Sequence, residues 1–248
     1  MTVAAVNDAS GDGGRLYDAY AAWKDWRGEF AVGERQARYY AAELDGIALE
    51  GRRVLEIGFG DGGFLAWAKA QGANISGTEI DADVVALARA KGFDAHPPAL
   101  EALVAQGRQF DLVAAFDVLE HWDKAALVAN LRQIAALLVP GGLLIARFPN
   151  GQSPFGRVHQ HGDLTHQTAL SATSIEQLAI MTGLELVRVG NAARVPARRD
   201  AWTVLKHRWR QFRRDRIEKA YGKLYFGSRL PLDPNLTARL RKPAAKPA

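Results

Sequence analysis

From Arg52 to Pro149 the chain repeats one pattern: a short run rich in apolar and β-branched residues, then a segment with helical spacing. "RRVLEIG" precedes a helix expected over Gly63 to Gln71, "ANISGTEI" one over Ala82 to Lys91, and "FDLVAAFD" one over Lys124 to Leu138. "GGLLIARFP" is a further strand, "GFDAHP" a short one of the same set, and "VPGG" at 139 to 142 reads as a plain turn. Parallel strands need a crossover of about a dozen residues or more, usually a helix, so the alternation predicts a parallel sheet covered on both faces. With 248 residues the chain can bury one substantial core, and one α/β domain with additions is expected.

The flanks follow other rules. Residues 1–14 have no periodicity and are expected to be a loose terminus, as is "RKPAAKPA" at the other end. From Arg15 to Leu44, Trp23, Trp26, Phe30, Tyr39 and Tyr40 are interspersed with charges, which suits one or two amphipathic helices that pack on the domain or form a lid. Residues 1–45 are therefore set apart as an N-terminal helical extension and 46–248 as the main domain. Beyond Asn150 a Gly-, Ser-, Pro- and His-rich loop is expected to run to Leu170. A helix over Ser174 to Gly183, capped by Thr173 or Ser174, and a strand "LELVRVG" follow. Residues 201–225 place Trp202, Leu205, Trp209, Phe212, Ile217, Tyr221 and Leu224 mostly three or four apart, which predicts a helix.

Charge is unevenly spread. From Arg188 to Ala248 there are 17 Lys and Arg against 4 Asp and Glu, a balance of +13, so the net +5 leaves −8 on the rest of the chain. A basic tail on an acidic body points to a polyanionic partner such as phosphate, anionic lipid or nucleic acid. The chain has no cysteine, which removes disulfides, thiolate metal sites and cysteine nucleophiles. No run of about 18 apolar residues occurs, and the N-terminus has no basic start followed by an apolar stretch, so a cytoplasmic protein that does not span a membrane is expected.

The first strand runs into "VLEIGFGDGGFL", whose glycines fit two ligands. Gly58, Gly60 and Gly63 match the turn that brings backbone close to a dinucleotide, and Glu56, Gly58, Gly60 and Gly62 match the acidic pattern of S-adenosylmethionine (SAM) sites. Glu79, at the end of the second strand, suits a ribose in either case. Glu56 decides: a carboxylate inside the mouth of the fold repels a pyrophosphate and favours a cationic sulfonium and amino group. Asp61 and Asp117 add to the same negative mouth, and NAD is set aside.

Taken together, "VLEIGFGDGGFL", "GTEID", "FDLVAAFDVLEHW" and "LVPGGLLIARFPN" resemble, in order, the motifs of class I SAM-dependent methyltransferases, over roughly residues 50–190. The resemblance implies a Rossmann-like, seven-stranded, mostly parallel sheet with helices on both faces. "NLTARLRKP" would supply the last, antiparallel strand, and a basic helix at about 198–226 would be inserted before it. It also implies SAM as cofactor, with Glu56 near its amino group, Gly58, Phe59 and Gly60 along the methionine moiety, and Glu79 with Ile80 at the ribose. Asp117, Val118 and His121 would border the sulfonium end and pocket. Where many relatives carry Gly-Asp after the third strand this chain has "HPPAL", so adenine recognition is left to the backbone. "NGQSPFGRVHQHGDLTH", "SATSIEQLAIMTGL" and "PLDPNLTARLRKP" resemble more narrowly a bacterial subgroup associated with polysaccharide or glycolipid biosynthesis.

A hydroxyl acceptor must lose its proton as it is methylated, and histidine is the natural base at neutral pH. In "HGDLTH", His161 or His166 is expected to accept that proton while Asp163 orients it; the plain alternative is that these residues only fix the loop. His121 is read as lining the pocket. His159, His161, Asp163 and His166 are the candidates for a metal, but their alternating positions establish no ligand geometry and no metal is expected. The segment 198–223 would rest on an anionic membrane surface, clasp a phosphate-bearing substrate, stack on RNA, or simply pack on the domain with its charges in solvent. The resulting expectation is O-methylation of a sugar or glycolipid intermediate, with a small-molecule or lipid-linked glycan acceptor and peripheral contact with the inner face of a membrane. The alternatives are O-methylation of a small phenolic or quinone-like metabolite, and a non-catalytic SAM-binding interaction protein. Nucleic acid is set aside, because an Asn/Asp-Pro-Pro-Tyr/Phe motif does not follow the fourth strand.

Overall fold

The computed structural model describes Trp23, Lys24 and residues 29–244. The expected loose terminus, Trp26 and most of the first amphipathic stretch, and the last residues of "RKPAAKPA" lie outside the described residues. In chain order the elements are α1 (Glu34–Glu43), β1 (Arg53–Ile57), α2 (Gly63–Ala70), β2 (Asn74–Thr78), α3 (Ala82–Ala90), β3 (Asp94–His96), α4 (Leu100–Ala105) and β4 (Phe110–Phe116). A single 3-10 turn over Leu119–His121 leads to α5 (Lys124–Leu137) and β5 (Leu138–Pro149). Then come α6 (Arg157–His161), α7 (Ala172–Thr182), β6 (Glu185–Asn191), α8 (Ala201–Phe226) and β7 (Asn235–Arg241).

All seven strands form one sheet in the order β3-β2-β1-β4-β5-β7-β6. Neighbours from β3 to β5 pair parallel, while β7 runs antiparallel between β5 and β6, as expected from "NLTARLR". Because side chains alternate across a strand, the parallel core is buried on both faces. Val54, Leu112, Ala114 and Ile145 pack with Tyr40, Phe64, Trp67 and Val85 on one side. Leu55, Val113, Ala115 and Phe148 pack with Leu103, Leu131, Ile134 and Ile175 on the other.

Local chemistry sets most boundaries. Asp81 accepts from the Asp83 and Val84 amides to start α3, and Asp123 caps α5 through Ala126. Ser171, rather than Thr173 or Ser174, caps α7; Ser174 instead returns the bond to the Ser171 amide. "VPGG" is not a free turn: it is absorbed into the start of β5, where the register slips between Phe110↔Leu138 and Leu112↔Leu143. The expected loop from Asn150 to Leu170 contains the short helix α6, and α4 occupies a segment for which no helix was expected. Among the described residues no helix is long and apolar enough to cross a membrane.

Candidate active site

Two adjoining sites lie at the carboxyl ends of the parallel strands, where ligands bind in open α/β sheets. The first surrounds the glycine turn between β1 and α2. Gly58 has φ +67°, and a Cβ there would lie 2.8 Å from Val118 Cγ2, so the close approach of the β1 and β4 loops requires glycine. The Gly58 and Phe59 amides bond to the Thr78 carbonyl, which fixes the turn against β2.

Two buried carboxylates face this turn. Glu56 is buried, with Oε2 lacking a hydrogen-bond partner among the described residues. Burial, reinforced by Asp61 and Glu79, holds its carboxyl well above the usual range. Glu79 is committed on both oxygens: Oε2 accepts from Gly60 N at 2.9 Å, and Oε1 from Ile80 N at 2.7 Å and Asp81 N at 3.3 Å. Beside it, the Ile80 side chain is 55% exposed and offers an apolar surface. Asp117, at the end of β4, has φ +58°, a conformation that costs a non-glycine residue energy and persists where neighbours impose it. Its amide bonds to the Arg147 carbonyl and its carboxylate pairs with the Arg147 guanidinium. A buried carboxylate with one unpartnered oxygen, a turn with no room for a Cβ and a held carboxylate fit the amino group, methionine backbone and ribose of SAM. Glu56, Gly58, Phe59, Gly60, Glu79, Ile80, Asp117 and Val118 thus gather in one place.

The second site is a cleft of about 240 Å³ whose lining includes Trp23, Lys24, Asp117, His121, Asp163 and His166. Asp117 belongs to both sites. His121 lies here, its ring against that of His166 with centroids 4.7 Å apart, rather than on the glycine turn. His161 is exposed at the end of α6 and is not among the lining residues; His159 is.

Hydrogen bonds define the state of the two rings. His166 Nδ1 lies 3.1 Å from the Gln160 carbonyl, which only accepts, so Nδ1 carries a hydrogen and Nε2 is the nitrogen turned to the two neighbouring carboxyl groups. Thr165 donates its hydroxyl hydrogen to Asp163 Oδ1 at 2.5 Å. The 2.9 Å contact from His121 Nδ1 to the Thr165 hydroxyl is therefore donated by the ring. Burial, then the neighbouring His166, pushes the His121 pKa down to about 4, which keeps this ring neutral. Burial would raise Asp163, but two bonds from Thr165 and the Lys24 ammonium, 3.2 Å away, bring it down to about 2. Glu120 behaves oppositely. Burial, then the charge of Asp117, holds its carboxyl well above the usual range. His166 Nε2 thus stands between two carboxyl groups, Asp163 at 3.7 Å, held low, and Glu120 at 3.8 Å, held high.

Thr165, Lys24 and Glu120 were not expected at the site. Asp-x-Thr within "HGDLTH" is the signal for the Thr165 bonds, since Asp side chains commonly bind the backbone two residues on. Nothing in the sequence ties Lys24 to Asp163 across the fold. Glu120, His121 and His166 each offer one ligand atom within 4.8 Å of the others, which a divalent cation could use. This set differs from the one read in the loop: Glu120 and His121 replace His159, His161 and Asp163.

Residues 32–189 match the model of a family described as a methyltransferase domain. A ubiquinone biosynthesis O-methyltransferase of Bordetella avium is 37% identical over 108 residues, 40% of this chain and 43% of that protein. The corresponding protein of Paracidovorax citrulli is 33% identical over 130 residues, 48% of this chain and 53% of that one. The chain thus spans about half the length of the curated relatives it matches. Among solved structures, a SAM-dependent methyltransferase from Archaeoglobus fulgidus has a TM-score of 0.60 at 16% identity, covering 91% of this chain and 100% of that one. A cyclopropane synthase from Mycobacterium tuberculosis has a TM-score of 0.60 at 15% identity, covering 95% and 100%. Likeness at such identity shows the fold, on which the acceptor varies. The expected association with polysaccharide or glycolipid biosynthesis finds no support in these relatives.

Proposed function

Because the chain belongs to the methyltransferase domain family and builds the class I fold of enzymes that use SAM as methyl donor, we propose that it methylates a hydroxyl oxygen of a small phenolic or quinone-like acceptor in the cleft beside Asp117. The names of the curated relatives favour this acceptor class over a sugar or glycolipid. Trp23, Pro149 and Val158 give the cleft apolar walls suited to a ring.

Bound SAM supplies a methyl group already activated on a sulfonium, which leaves positioning and proton removal to the protein. Glu56 takes the amino group, Glu79 holds the ribose, and the backbone at Gly58 and Gly60 allows close approach. His166 would remove the acceptor's hydroxyl proton at Nε2, leaving the electron pair on oxygen for a new bond to the methyl carbon, whose bond to sulfur would break with its pair staying on sulfur as the neutral thioether of S-adenosylhomocysteine. Asp163 steadies the imidazolium so formed, and Thr165 and Lys24 keep Asp163 ionised and in place. Burial disfavours the charged form of Glu120, which limits negative charge beside the developing oxyanion.

The observation that carries this reading is the orientation of His166, whose bond to the Gln160 carbonyl occupies Nδ1 and leaves Nε2 as the nitrogen available to exchange a proton. Its test is turnover of labelled SAM with catechols, hydroxylated quinols and glycans, on the wild type and on His166→Asn. The expected result is transfer to the phenolic acceptors alone, with turnover falling about 10²–10⁴-fold in the variant at unchanged SAM affinity. Transfer to glycans would restore the sugar reading, and full turnover in the variant would remove His166 as the base. SAM binding without transfer to any acceptor would favour the non-catalytic interaction protein.

A second reading rests on the convergence of Glu120, His121 and His166, where a divalent cation would polarise the hydroxyl in place of a base. Exhaustive chelation separates the two. Unchanged turnover leaves proton transfer to His166, and loss restored by a divalent cation transfers the role to the ion.

A further inference from the structure

The 26 residues of α8 span about 39 Å, and the sides of this helix are used against the usual pattern. Its inner face is polar. Glu218, 2% exposed, accepts from Asn191 Nδ2 at 2.5 Å, Arg229 Nε at 2.6 Å and Leu232 N at 3.0 Å. Gly222 leaves no room for a Cβ against the backbone of Ser228 and Leu230. Asp215 pairs with Arg194, which also holds Asp233, so both acids of the helix are engaged by arginines at its base.

The outer face is apolar and cationic. With about 100° per residue, Trp202, Leu205, Lys206, Trp209, Arg213 and Arg216 fall within about 60° of the line opposite Glu218 and Gly222. Trp202 is 63% exposed and Trp209 61%, and Leu205, Phe212, Ile217 and Leu224 are exposed too. Lys206 lies over the Trp202 ring at 4.7 Å and Arg213 over Trp209 at 4.7 Å. Lys206, Trp209, Arg210, Arg213 and Ile217 border a surface groove of about 410 Å³. The aromatic stripe of the sequence therefore does not pack on the domain; the polar side does.

We propose that this outer face of α8 docks on the surface of an anionic phospholipid bilayer. Indole, phenyl and aliphatic groups enter the boundary between headgroups and acyl chains, while the interleaved lysine and arginines meet lipid phosphates. Charge argues against a second copy of the chain, which would bring the same cationic face against this one. Leu205, Ile217 and Leu224 give a nucleic-acid base nothing to stack on, whereas a lipid surface takes them. The docking surface stands whichever acceptor is methylated, and topology gives it a direction. α8 leaves the sheet after β6 and returns into β7, whose first residue, Asn235, lines the acceptor cleft. The helix is thus rooted at the sheet edge that carries the chemistry.

The test uses the full chain with vesicles of phosphatidylcholine alone and with about one third phosphatidylglycerol, read by co-sedimentation and tryptophan emission. The expected result is at least tenfold stronger binding to the anionic vesicles, a blue shift of emission, and weakening as salt is raised. Trp202→Ser/Trp209→Ser and, separately, Arg213→Ala/Arg216→Ala should each weaken it more than tenfold while SAM affinity and circular dichroism stay unchanged. Three results would overturn the proposal: equal or absent binding to the two vesicle types, vesicle binding unaffected in both variants, or an absence of vesicle binding alongside RNA binding or self-association that the same variants abolish.

Discussion

Replacing Glu79 with Ala tests how much one carboxylate contributes to holding SAM. An ionised carboxylate offers about four acceptor positions. Three are occupied, by the amides of Gly60, Ile80 and Asp81, which leaves one on Oε2 for a ribose hydroxyl while Gly60 keeps its bond. One hydrogen bond to a charged acceptor is worth about 1.5–3 kcal/mol, so Glu79→Ala should weaken SAM binding about 10- to 150-fold. The variant should unfold more easily as well, by about 1–3 kcal/mol, because the buried Gly60 amide loses its acceptor. Calorimetric titration with SAM and S-adenosylhomocysteine measures the first quantity and urea unfolding without ligand the second. Unchanged affinity in a folded variant would refute the ribose assignment. A loss in affinity below about threefold would mean that Glu79 serves only to fix the glycine turn.

Glu56 should make the ligand-free protein less stable as pH rises. Its pKa is raised in the folded state, so stability is full below its unfolded value and falls as pH climbs through the folded one. Thermal unfolding of Glu56→Gln should show a flatter pH profile and higher stability at pH 8, together with weaker SAM binding. Gly58→Ala places a Cβ against Val118 at φ +67°, and should cost about 1–2 kcal/mol for the left-handed backbone alone, visible in urea unfolding, and reduce SAM affinity. Thr165→Val removes the bond to Asp163 and the acceptor for His121, and should lower kcat about tenfold with little change in KM. Thr165→Ser should restore it, and a fall confined to KM would assign Thr165 to acceptor binding instead.

The sheet was legible because its strands are buried on both faces and therefore read as continuous apolar runs, each followed by a helix. The grouping of the residues proposed to hold SAM was legible for a related reason: they sit at strand ends, so position in the chain fixes position in space. The cleft beside Asp117 was only half legible. Asp163 and His166 share one loop and were read together, but Glu120, His121 and Lys24 reach them from other parts of the chain. His161 shares that loop and still lies outside the cleft lining, because proximity in sequence did not fix which way the loop turns. The hardest feature was α8. Its periodicity gave the helix, yet periodicity alone could not say which side would face the protein. Glu218 decided this by finding Asn191, Arg229 and Leu232, a set assembled only by the fold.

The insertion of β7 between β5 and β6 also bears on how the sheet is completed. β6 is made well before β7, with residues 192–234 intervening, and among the described residues its only strand partner is β7. Until Asn235–Arg241 have been synthesised, both β5 and β6 present open edges, which are templates for pairing with other chains. Closure of the sheet must therefore wait for a segment that reaches its place across the whole of α8, a long-range contact of the slow kind. A chain that ended before β7 would leave two sticky edges and an exposed aromatic helix at the same moment. In the finished sheet β7 covers the edge of β5 and one side of β6, and the outer face of α8 keeps the exposure it had in the incomplete chain.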